Sequence, residues 1–545
     1  MSTLLSSTSL ASATDLPPIP AADIEYSLIA PLLIIAGAAI VGVLVEAFWP
    51  RATRFTAQAV LACLAIVAAL ADTVWVYTDL DRVEASLQAR GQVAAEGALS
   101  VDGPGVFTWG ILLVFGLLSM LLFAERRLEG GLSQFTGRAA DAPGSAAEAD
   151  AVRRRLEHSE VFPLALFALV GMMLFATAND LLTMFVALEV LSLPLYILCG
   201  LARRRRLLSQ EAALKYFLLG AFSSVFFLYG VALAYGYSGS FELSAIDTAV
   251  TNRTGSETML LAATALMAVG LLFKIGAAPF HTWTPDVYQG APTPVTAFMA
   301  AGTKAAAFLA LLRVFYVAFG GSQWDWRPTI VAIAIITMFL GAVVSISQTD
   351  VKRMLAYSSI AHAGFLLVGF VGVYAGVAGS DRVTSVSSVL FYLAVYGLSS
   401  IGAFAVVTLV RDSGGETTHL SKWAGLGRTS PLLAGAFAIF MLSFAGIPLT
   451  GGFIGKWGVF SAAYSGGFWW LVVVGVLVSA LAAYFYVRVI VLMFFTDPVG
   501  DGPTVAVPSL LTTVVIVVAV VGTVGLGIIP GPVLDLAQHA GAFVR

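Results

Sequence analysis

Apolar runs of eighteen or more residues recur along this chain from residue 27 to residue 530, and they limit its fold more than any other feature. An α-helix needs about 20 apolar residues to cross the hydrocarbon core of a bilayer. Of the 545 residues, 59% are hydrophobic, whereas soluble domains are roughly 45–50% apolar. The pattern therefore predicts an all-α polytopic membrane protein.

About fourteen spans satisfy the length criterion. Their predicted limits are 27–49, 56–77, 105–125, 160–178, 181–201, 211–236, 257–279, 293–316, 328–346, 353–377, 384–410, 432–462, 468–495 and 507–530. The polar lead 1–26 lacks the positive n-region of a secretory signal, so we expect no cleavage. Between spans 3 and 4, the Ala/Gly/acid/Arg-rich segment 126–159 predicts a flexible cytoplasmic insert.

Charged residues in the loops predict the orientation of the chain. Positive residues follow the odd-numbered spans: Arg51, Arg54, Arg126, Arg127, Arg153 to Arg155, Arg203 to Arg206, Lys352, Arg353, Lys422 and Arg428. The even-numbered loops carry mainly acids: Asp79, Asp81, Asp180, Glu242 and Asp247. The positive-inside rule then places the odd loops in the cytoplasm and both termini on the outer face. The Arg203 to Arg206 run could instead be a nucleic-acid or lipid patch, but we interpret it as a topology signal. The net charge of −3 is small and says nothing about nucleic acid.

Two spans contain Gly/Pro breaks: LLFKIGAAPFHTW in span 7, with Pro279, and SFAGIPLTGGFIGKW in span 12, with Pro448. Proline removes a backbone N–H, and such breaks persist at membrane depth only where protein or a water-filled cavity satisfies the freed groups. Broken spans in corresponding positions indicate an inverted repeat. We therefore predict two inverted five-helix repeats, spans 4–8 (160–316) and spans 9–13 (328–495). The alternative is two ordinary kinked helices. Spans 1–3 occupy 27–125 and span 14 occupies 507–530.

Four charged residues lie inside apolar runs: Glu189, Lys274, Lys304 and Lys456. A charge near the bilayer centre costs at least ~2.5–3.5 kcal/mol on insertion scales, and only 11% of this chain is charged. Burial in apolar surroundings makes a lysine release its proton more readily, and a neighbouring carboxylate opposes this effect. Moving such a pair apart or together is a proton switch, so these residues predict a path for protons or ions.

Five further polar residues are weaker candidates. Glu211 and Lys215 are four residues apart on span 6 and should share a face, and Lys215 could extend to the cytoplasmic surface. His281 and His362 could shuttle protons, or could only satisfy backbone carbonyls. Tyr392 belongs to a polar stripe on span 11 that could hydrate a channel or join helices.

Cofactor and metal signatures are absent from the sequence. It has no phosphate-binding loop, dinucleotide fingerprint or His/Glu metal motif. Its two cysteines, Cys63 and Cys199, form no CxxC pair and lie in apolar segments, where we expect them to pack as small apolar residues. We therefore expect neither a metal nor a redox cofactor in this chain.

Three motifs carry a specific resemblance: FKIGAAPFHTWTPDVYQGAPTPVTAF (273–298), DVKRMLAYSSIAHAGF (350–365) and GIPLTGGFIGKW (446–457). The chain resembles the antiporter-like, proton-conducting subunits of respiratory complex I, the proton-pumping NADH:quinone oxidoreductase, which are related to the large subunits of multisubunit Na⁺/H⁺ antiporters. The variant VYQGAPTPVTAF is similar to the subunit N branch. The resemblance covers spans 4 to 13 and implies a fourteen-helix fold with two inverted repeats.

The resemblance also implies roles for the buried charges. Glu189 matches the span 5 glutamate that pairs with the span 7 lysine, here Lys274. Lys304 matches the central lysine that links two half-channels, and Lys456 matches the span 12 residue at the outward exit. Glu211 and Lys215 on span 6 also match a pair of charged residues in the subunit N pattern, and the resemblance gives this pair no defined role. The insert and the extended N-terminus depart from the family pattern, which affects partner contacts rather than the proton path.

These features together predict a proton-translocating subunit of NADH:quinone oxidoreductase in a bacterial cell membrane. The resemblance implies that NADH, FMN, iron–sulfur clusters and quinone are bound by other subunits, which would be its partners together with neighbouring antiporter-like subunits and the lipid bilayer. The Ala/Gly/Val/Arg-rich composition fits a high-GC bacterium, for which menaquinone is a plausible quinone. The alternative is a subunit of a multisubunit Na⁺/H⁺ antiporter, and a third class is a structural membrane scaffold.

Overall fold

A computed structural model describes residues 24–80, 90–142, 144–372, 384–412, 415–498 and 502–544. Within these residues, twelve helices are long and apolar enough to cross a membrane, and two shorter apolar helices span Val161–Thr177 and Pro431–Ala445. These helices coincide with the predicted spans, so the all-α membrane class is confirmed. Most of the predicted lead (1–23), Asp81 and the last residues of predicted span 10 (373–377) lie outside the described residues.

The helices and strands have the following bounds. The helices are α1 (Tyr26–Phe48), α2 (Arg51–Asp79), α3 (Gly103–Phe123), α4 (Ala146–Arg153), α5 (Val161–Thr177), α6 (Leu181–Cys199), α7 (Arg206–Ser238), α8 (Leu243–Asn252), α9 (Glu257–Ile275), α10 (Trp283–Gly290), α11 (Thr293–Phe298), α12 (Lys304–Arg313), α13 (Gln323–Ser347), α14 (Val351–Phe370), α15 (Ser385–Val407), α16 (Leu426–Thr429), α17 (Pro431–Ala445), α18 (Gly451–Ser465), α19 (Trp469–Phe495), α20 (Leu510–Ile528) and α21 (Gly531–His539). The strands are β1 (Gly91–Ala94), β2 (Leu99–Asp102), β3 (Val410–Asp412), β4 (Gly415–Glu416) and β5 (Thr504–Val505). Strands β1 and β2 form an antiparallel hairpin, and β3 lies between β4 and β5.

Aspartates at the N-caps define where several spans begin. Asp102, Asp180 and Asp350 each accept a hydrogen bond from the backbone N–H three residues ahead, at 2.9, 2.7 and 3.0 Å. A carboxylate at this position satisfies a donor that has no partner within the helix and complements the positive end of the helix dipole. The starts of α3, α6 and α14 are therefore set locally by sequence.

Both predicted helix breaks are confirmed. Gly276 directly follows the last residue of α9 and Gly446 that of α17, with φ of +74° and +81°. Glycine adopts this left-handed conformation without a steric cost, which is why it commonly follows the last helical residue. Predicted span 7 (257–279) therefore stops at Ile275 and resumes as α10, and predicted span 12 (432–462) divides into α17 and α18. The inverted repeat remains a prediction.

The eighth span lies at the centre of the molecule. It consists of α11 and α12 with two π-helical turns, Met299–Thr303 and Val314–Ala318, and it is buried on all sides. Helices α14 and α15 are also almost completely enclosed, whereas α2, α19 and α20 expose broad apolar faces. A π-helical turn is frequently found at a functional site, and here the first of them immediately precedes Lys304.

Loops that follow odd-numbered spans meet at one face. Arg203, after span 5, donates a hydrogen bond of 2.8 Å to the carbonyl of Ser133, after span 3. Arg411, after span 11, forms an ion pair with Glu129, also after span 3. These contacts agree with the predicted alternation of the loops, and we call this end of the molecule the odd-loop face.

The opposite face carries the loops after even-numbered spans and both described ends of the chain. Glu25 accepts a hydrogen bond of 3.0 Å from the N–H of Ala95, in the loop after span 2. Near the other end, the N–H of Val544 donates to Asp102 at 3.2 Å. Residues 24 and 544 are therefore at the same face of the molecule.

The segment 126–159, predicted to be flexible, has more structure than expected. It contains α4, and Glu157 accepts a hydrogen bond of 2.6 Å from the N–H of Ser133. Arg206, at the start of α7, is 4% exposed and donates to Thr136 at 2.7 Å and to the carbonyl of Ala139 at 3.0 Å. A buried guanidinium requires acceptors, and this segment supplies them, which composition alone does not reveal.

Candidate functional site

Lys274 lies on the last turn of α9, directly before the break at Gly276, and is 4% exposed. Its Nζ donates a hydrogen bond of 2.7 Å to Ser192 Oγ on α6. The ring centroids of Tyr196 and Tyr216 lie 5.8 and 5.5 Å from the same Nζ. The π-faces of the two rings stabilise a positive charge at this position.

Glu189 is not in an ion pair with Lys274. Its Oε1 is buried and has no hydrogen-bond partner among the described residues. Ser192 follows Glu189 by three residues on α6 and therefore shares its face. The pairing implied by the resemblance is therefore not a direct contact in this structure, where Lys274 donates to a hydroxyl one turn away from Glu189. Ser192 is a residue that the sequence did not single out.

Lys304 begins α12 and is 4% exposed. Its Nζ donates to the carbonyl of Ser359 on α14 at 2.7 Å and lies 3.4 Å from the carbonyl of Ile275. Ile275 is the last residue of α9 and the neighbour of Lys274. The break therefore leaves a helix-terminal carbonyl free for Lys304, which brings the first and second lysines to the same helix end.

Lys456 lies on the second turn of α18 and is 5% exposed. Its Nζ donates to the carbonyls of Phe444 and Ala445 at 2.9 and 3.0 Å, and to Ser479 Oγ at 2.7 Å. The two carbonyls belong to the last turn of α17, where the Gly446 turn ends the helix. The negative end of a helix dipole stabilises a cation, so the second break stabilises Lys456 as the first stabilises Lys304.

The three lysines share one kind of environment. Each is nearly inaccessible to solvent, and each donates only to hydroxyl or carbonyl oxygens. A carboxylate partner would hold the proton firmly, because removing that proton would leave an unpaired buried anion. Neutral oxygens stabilise the charged form without that penalty, so a proton can arrive and leave at each position.

His362 lies on α14 and is 1% exposed. Its Nδ1 lies 2.7 Å from Tyr392 Oη, and its Nε2 lies 3.2 Å from Tyr486 Oη. Tyr486 Oη is in turn 2.5 Å from Ser358 Oγ. The alternative interpretation, that His362 only satisfies backbone carbonyls, is wrong, because both ring nitrogens contact phenol oxygens. The structure therefore brings together two of the predicted residues, His362 and Tyr392. Tyr486, in AYFYVRV of span 13, was not predicted from the sequence.

Buried hydroxyls without protein partners lie beside the lysines. Tyr216 Oη, Thr284 Oγ1 and Ser359 Oγ have no hydrogen-bond partner among the described residues. Buried polar atoms are nearly always hydrogen-bonded, to protein or to ordered water. These positions are therefore suited to bind the water molecules that would connect one lysine with the next.

His281 is separate from this arrangement. It lies in the break between α9 and α10, and its Nδ1 is buried without a hydrogen-bond partner in the described part of the chain. No hydrogen bond within that part joins it to the lysines.

Glu211 and Lys215 share a face of α7, as their spacing predicted, and they form an ion pair with 2.7 Å between Lys215 Nζ and Glu211 Oε1. Lys215 Nζ also lies 2.7 Å from Asp286 Oδ2 on α10. Asp286 contacts Arg353 Nη1 at 2.6 Å, so these charges join α7, α10 and α14 at the odd-loop face. Asp286 was missed, although it is the only acid in the HTWTPDVYQG motif.

Sequence reasoning also missed a fully buried ion pair. Arg313 and Asp102 are each 0% exposed at the side chain, and Nη1 and Nη2 of Arg313 lie 2.9 and 2.7 Å from the two carboxylate oxygens. The N–H of Val544 approaches the same carboxylate. Arg313 ends α12, the helix that begins with Lys304, so this pair fixes the far end of that helix. Its only sequence signal was an arginine in the apolar run FLALLRVF.

The transmembrane family model of NADH:quinone oxidoreductase and Mrp antiporters matches residues 178–482, which include Glu189 and the three lysines. No group of three or more His, Cys, Asp or Glu side chains suited to a metal ion occurs in the described ranges.

Three proteins illustrate the similarity. NADH-quinone oxidoreductase subunit N of Nocardioides sp. is 61% identical over 527 residues, covering 96% of this chain and 99% of that protein. A chain of respiratory complex I from Thermus thermophilus is 33% identical with a TM-score of 0.73, covering 94% of this chain and 100% of that one. A chain of the Mrp complex from Dietzia sp. has a TM-score of 0.77 at 20% identity, and the match covers 95% of this chain and 97% of that one. At this identity the similarity shows the fold alone.

Proposed function

Because this chain belongs to the NADH-quinone oxidoreductase subunit N family, we propose that it is a proton-translocating, non-redox membrane subunit of that enzyme. The observation that carries the proposal is the row of three buried lysines, each held by neutral oxygens. Buried lysines of this kind can gain and lose protons, and a structural scaffold has no use for them.

In the proposed path a proton enters from the cytoplasm and reaches Lys274. It moves to Lys304 past the end of α9, where water at the unpartnered hydroxyls would complete the connection. From Lys304 it passes the His362 cluster on α14 and arrives at Lys456. It then leaves at the outer face. Each lysine accepts a proton as the preceding one releases it, so the net charge of the row is restored after every cycle.

Glu189 and Lys274 would form the switch that drives this path. Lys274 rests on Ser192, and Glu189 Oε1 has no partner among the described residues. A movement of one helical turn along α6 would exchange the hydroxyl for the carboxylate. Contact with the carboxylate strengthens the hold of Lys274 on its proton, and separation weakens it.

The energy for this movement would come from the partner subunits. They would bind NADH, FMN, the iron–sulfur clusters and the quinone, and neighbouring antiporter-like subunits would contact this chain in the bilayer. We further propose that the protein lies in the bacterial plasma membrane, with the odd-loop face in the cytoplasm and both termini outside. Spans 4–8 and 9–13 would be its two inverted repeats. The likeness to the Mrp chain is a likeness of fold and gives no separate support to the antiporter alternative.

The experiment is Lys274→Met in the whole complex, purified and reconstituted into vesicles. Protons pumped per NADH should fall clearly below the yield of the unchanged complex, because methionine retains the apolar stem and removes the group that carries the proton. The exposed Lys422→Met is the matched control and should pump normally. Unchanged pumping by a fully assembled Lys274→Met complex would exclude the assigned role.

A further inference from the structure

One buried lysine has no part in the path described above. Lys352, on the first turn of α14, is 3% exposed. Its Nζ donates to the carbonyl of Ala291 at 2.8 Å and to Thr293 Oγ1 at 3.1 Å. Glu416 Oε1 lies 3.9 Å away. Burying a charged side chain so deeply is costly unless its surroundings compensate or its charge is used.

Lys352 lines a partly open cavity at the odd-loop face. The cavity has a volume of about 60 Å³, and its other polar walls include Gln289, Thr293, Arg205 and Glu416. This volume exceeds the ~10–15 Å³ that one water molecule requires. Water in the cavity can therefore reach the buried ammonium group from this side of the molecule.

Glu416 connects the cavity with Lys352. Its side chain is 20% exposed, and both of its carboxylate oxygens lie 2.7 Å from Thr293 Oγ1. Thr293 Oγ1 is also an acceptor for Lys352. A carboxylate, a hydroxyl and an ammonium group are thus adjacent, in that order, along the wall of the cavity.

Helix α14 leads from Lys352 to the centre of the molecule. Ser359 follows Lys352 by seven residues, which places it on the same face about 10 Å further along the helix. The carbonyl of Ser359 accepts the hydrogen bond of Lys304, and its buried Oγ has no partner in the described part of the chain. A hydroxyl without a protein partner at this position is suited to bind a water molecule between Lys352 and Lys304.

We propose that Lys352 and Glu416 form a second proton-uptake site, which supplies Lys304 from the odd-loop face without passing Lys274. This inference rests on the proposed function and adds a separate route to it. Glu416 takes a proton from cavity water, and that proton reaches neutral Lys352 through Thr293. The ammonium group of Lys352 then releases a proton to water near Ser359, which passes it to neutral Lys304. Lys352 returns to its neutral form, and no redox partner is needed.

The decisive variant is Lys352→Arg in the whole complex, reconstituted into vesicles, with Glu416→Gln beside it. Arginine keeps the positive charge and the donors for Ala291 and Thr293 but cannot release a proton in a protein. Both variants should lower the protons pumped per NADH without abolishing pumping, because only the uptake site at Lys274 remains. NADH:quinone reductase activity, measured with an uncoupler, should stay near that of the unchanged complex.

Several outcomes decide the proposal. Normal pumping by Lys352→Arg would mean that only the charge of Lys352 is needed, and this would overturn the second uptake site. If Lys352→Arg does not assemble, Glu416→Gln, which retains size and hydrogen-bonding atoms, decides in its place, and normal pumping would again overturn the proposal. Lys422→Arg, on an exposed side chain, is the matched control. The proposed function is tested separately by Lys274→Met, because normal pumping by that variant would exclude the role of Lys274 whatever Lys352→Arg does.

Discussion

Removing one charge from the buried ion pair of Asp102 and Arg313 should strongly destabilise this chain. Both side chains are 0% exposed, and the two contacts of 2.9 and 2.7 Å give a bidentate geometry. Asp102→Asn removes the negative charge and leaves the guanidinium buried without a counter-ion. Breaking such a pair on one side costs about 3–5 kcal/mol. Asparagine is as good an N-cap as aspartate, so the start of α3 should not add to this cost.

The assay is thermal inactivation of the purified complex, with Asp102→Asn compared with Asp497→Asn. Asp497 forms an ion pair of 2.7 Å with Arg428, but these side chains are 82% and 59% exposed. An exposed pair contributes about 0–1 kcal/mol, so this control should change stability little. A double variant, Asp102→Asn with Arg313→Met, should be more stable than Asp102→Asn alone, because neither charge is then unpaired. The reasoning is refuted if Asp102→Asn is no more destabilising than Asp497→Asn.

Two further predictions concern the second broken span and the histidine cluster. Gly452→Ala should prevent assembly of the complex, because a Cβ at this position would lie 1.9 Å from the carbonyl oxygen of Ser443. Gly435→Ala is the control and should assemble normally, because no atom lies within 4 Å of a Cβ at that position. Immunoblots of native gels compare the two variants. Tyr486→Phe should lower pumping several-fold without loss of assembly, because it removes one of the two hydroxyls that contact His362. A normal number of protons pumped per NADH by the assembled variant complex in vesicles would contradict this prediction.

The helices and their two breaks were predictable because their causes are local. Apolar runs of sufficient length determine the spans, and at these two positions a glycine followed within three residues by proline favours the end of a helix. Lys274, Lys304 and Lys456 were predictable as buried groups for the same reason, since each lies within such a run.

The partners of these residues were not predictable, because they come from distant parts of the chain. Ser192 is 82 residues from Lys274, and Tyr486 is 124 residues from His362. A single sequence contains no information about which helices become neighbours, and the packing of the central span decides it. The helix-terminal carbonyls that accept Lys304 and Lys456 could not be assigned either, because backbone groups leave no trace in side-chain patterns.

The most direct test of the account is Lys304→Met, measured as protons pumped per NADH by the reconstituted complex. Among the described residues, Lys304 Nζ donates hydrogen bonds only to the carbonyl oxygens of Ser359 and Ile275, so methionine leaves no buried carboxylate without its partner. The account predicts an assembled complex whose quinone reductase activity, measured with an uncoupler, is largely retained and whose pumping is strongly reduced. Pumping at the normal yield by the Lys304→Met complex would show that protons do not pass through the row of buried lysines.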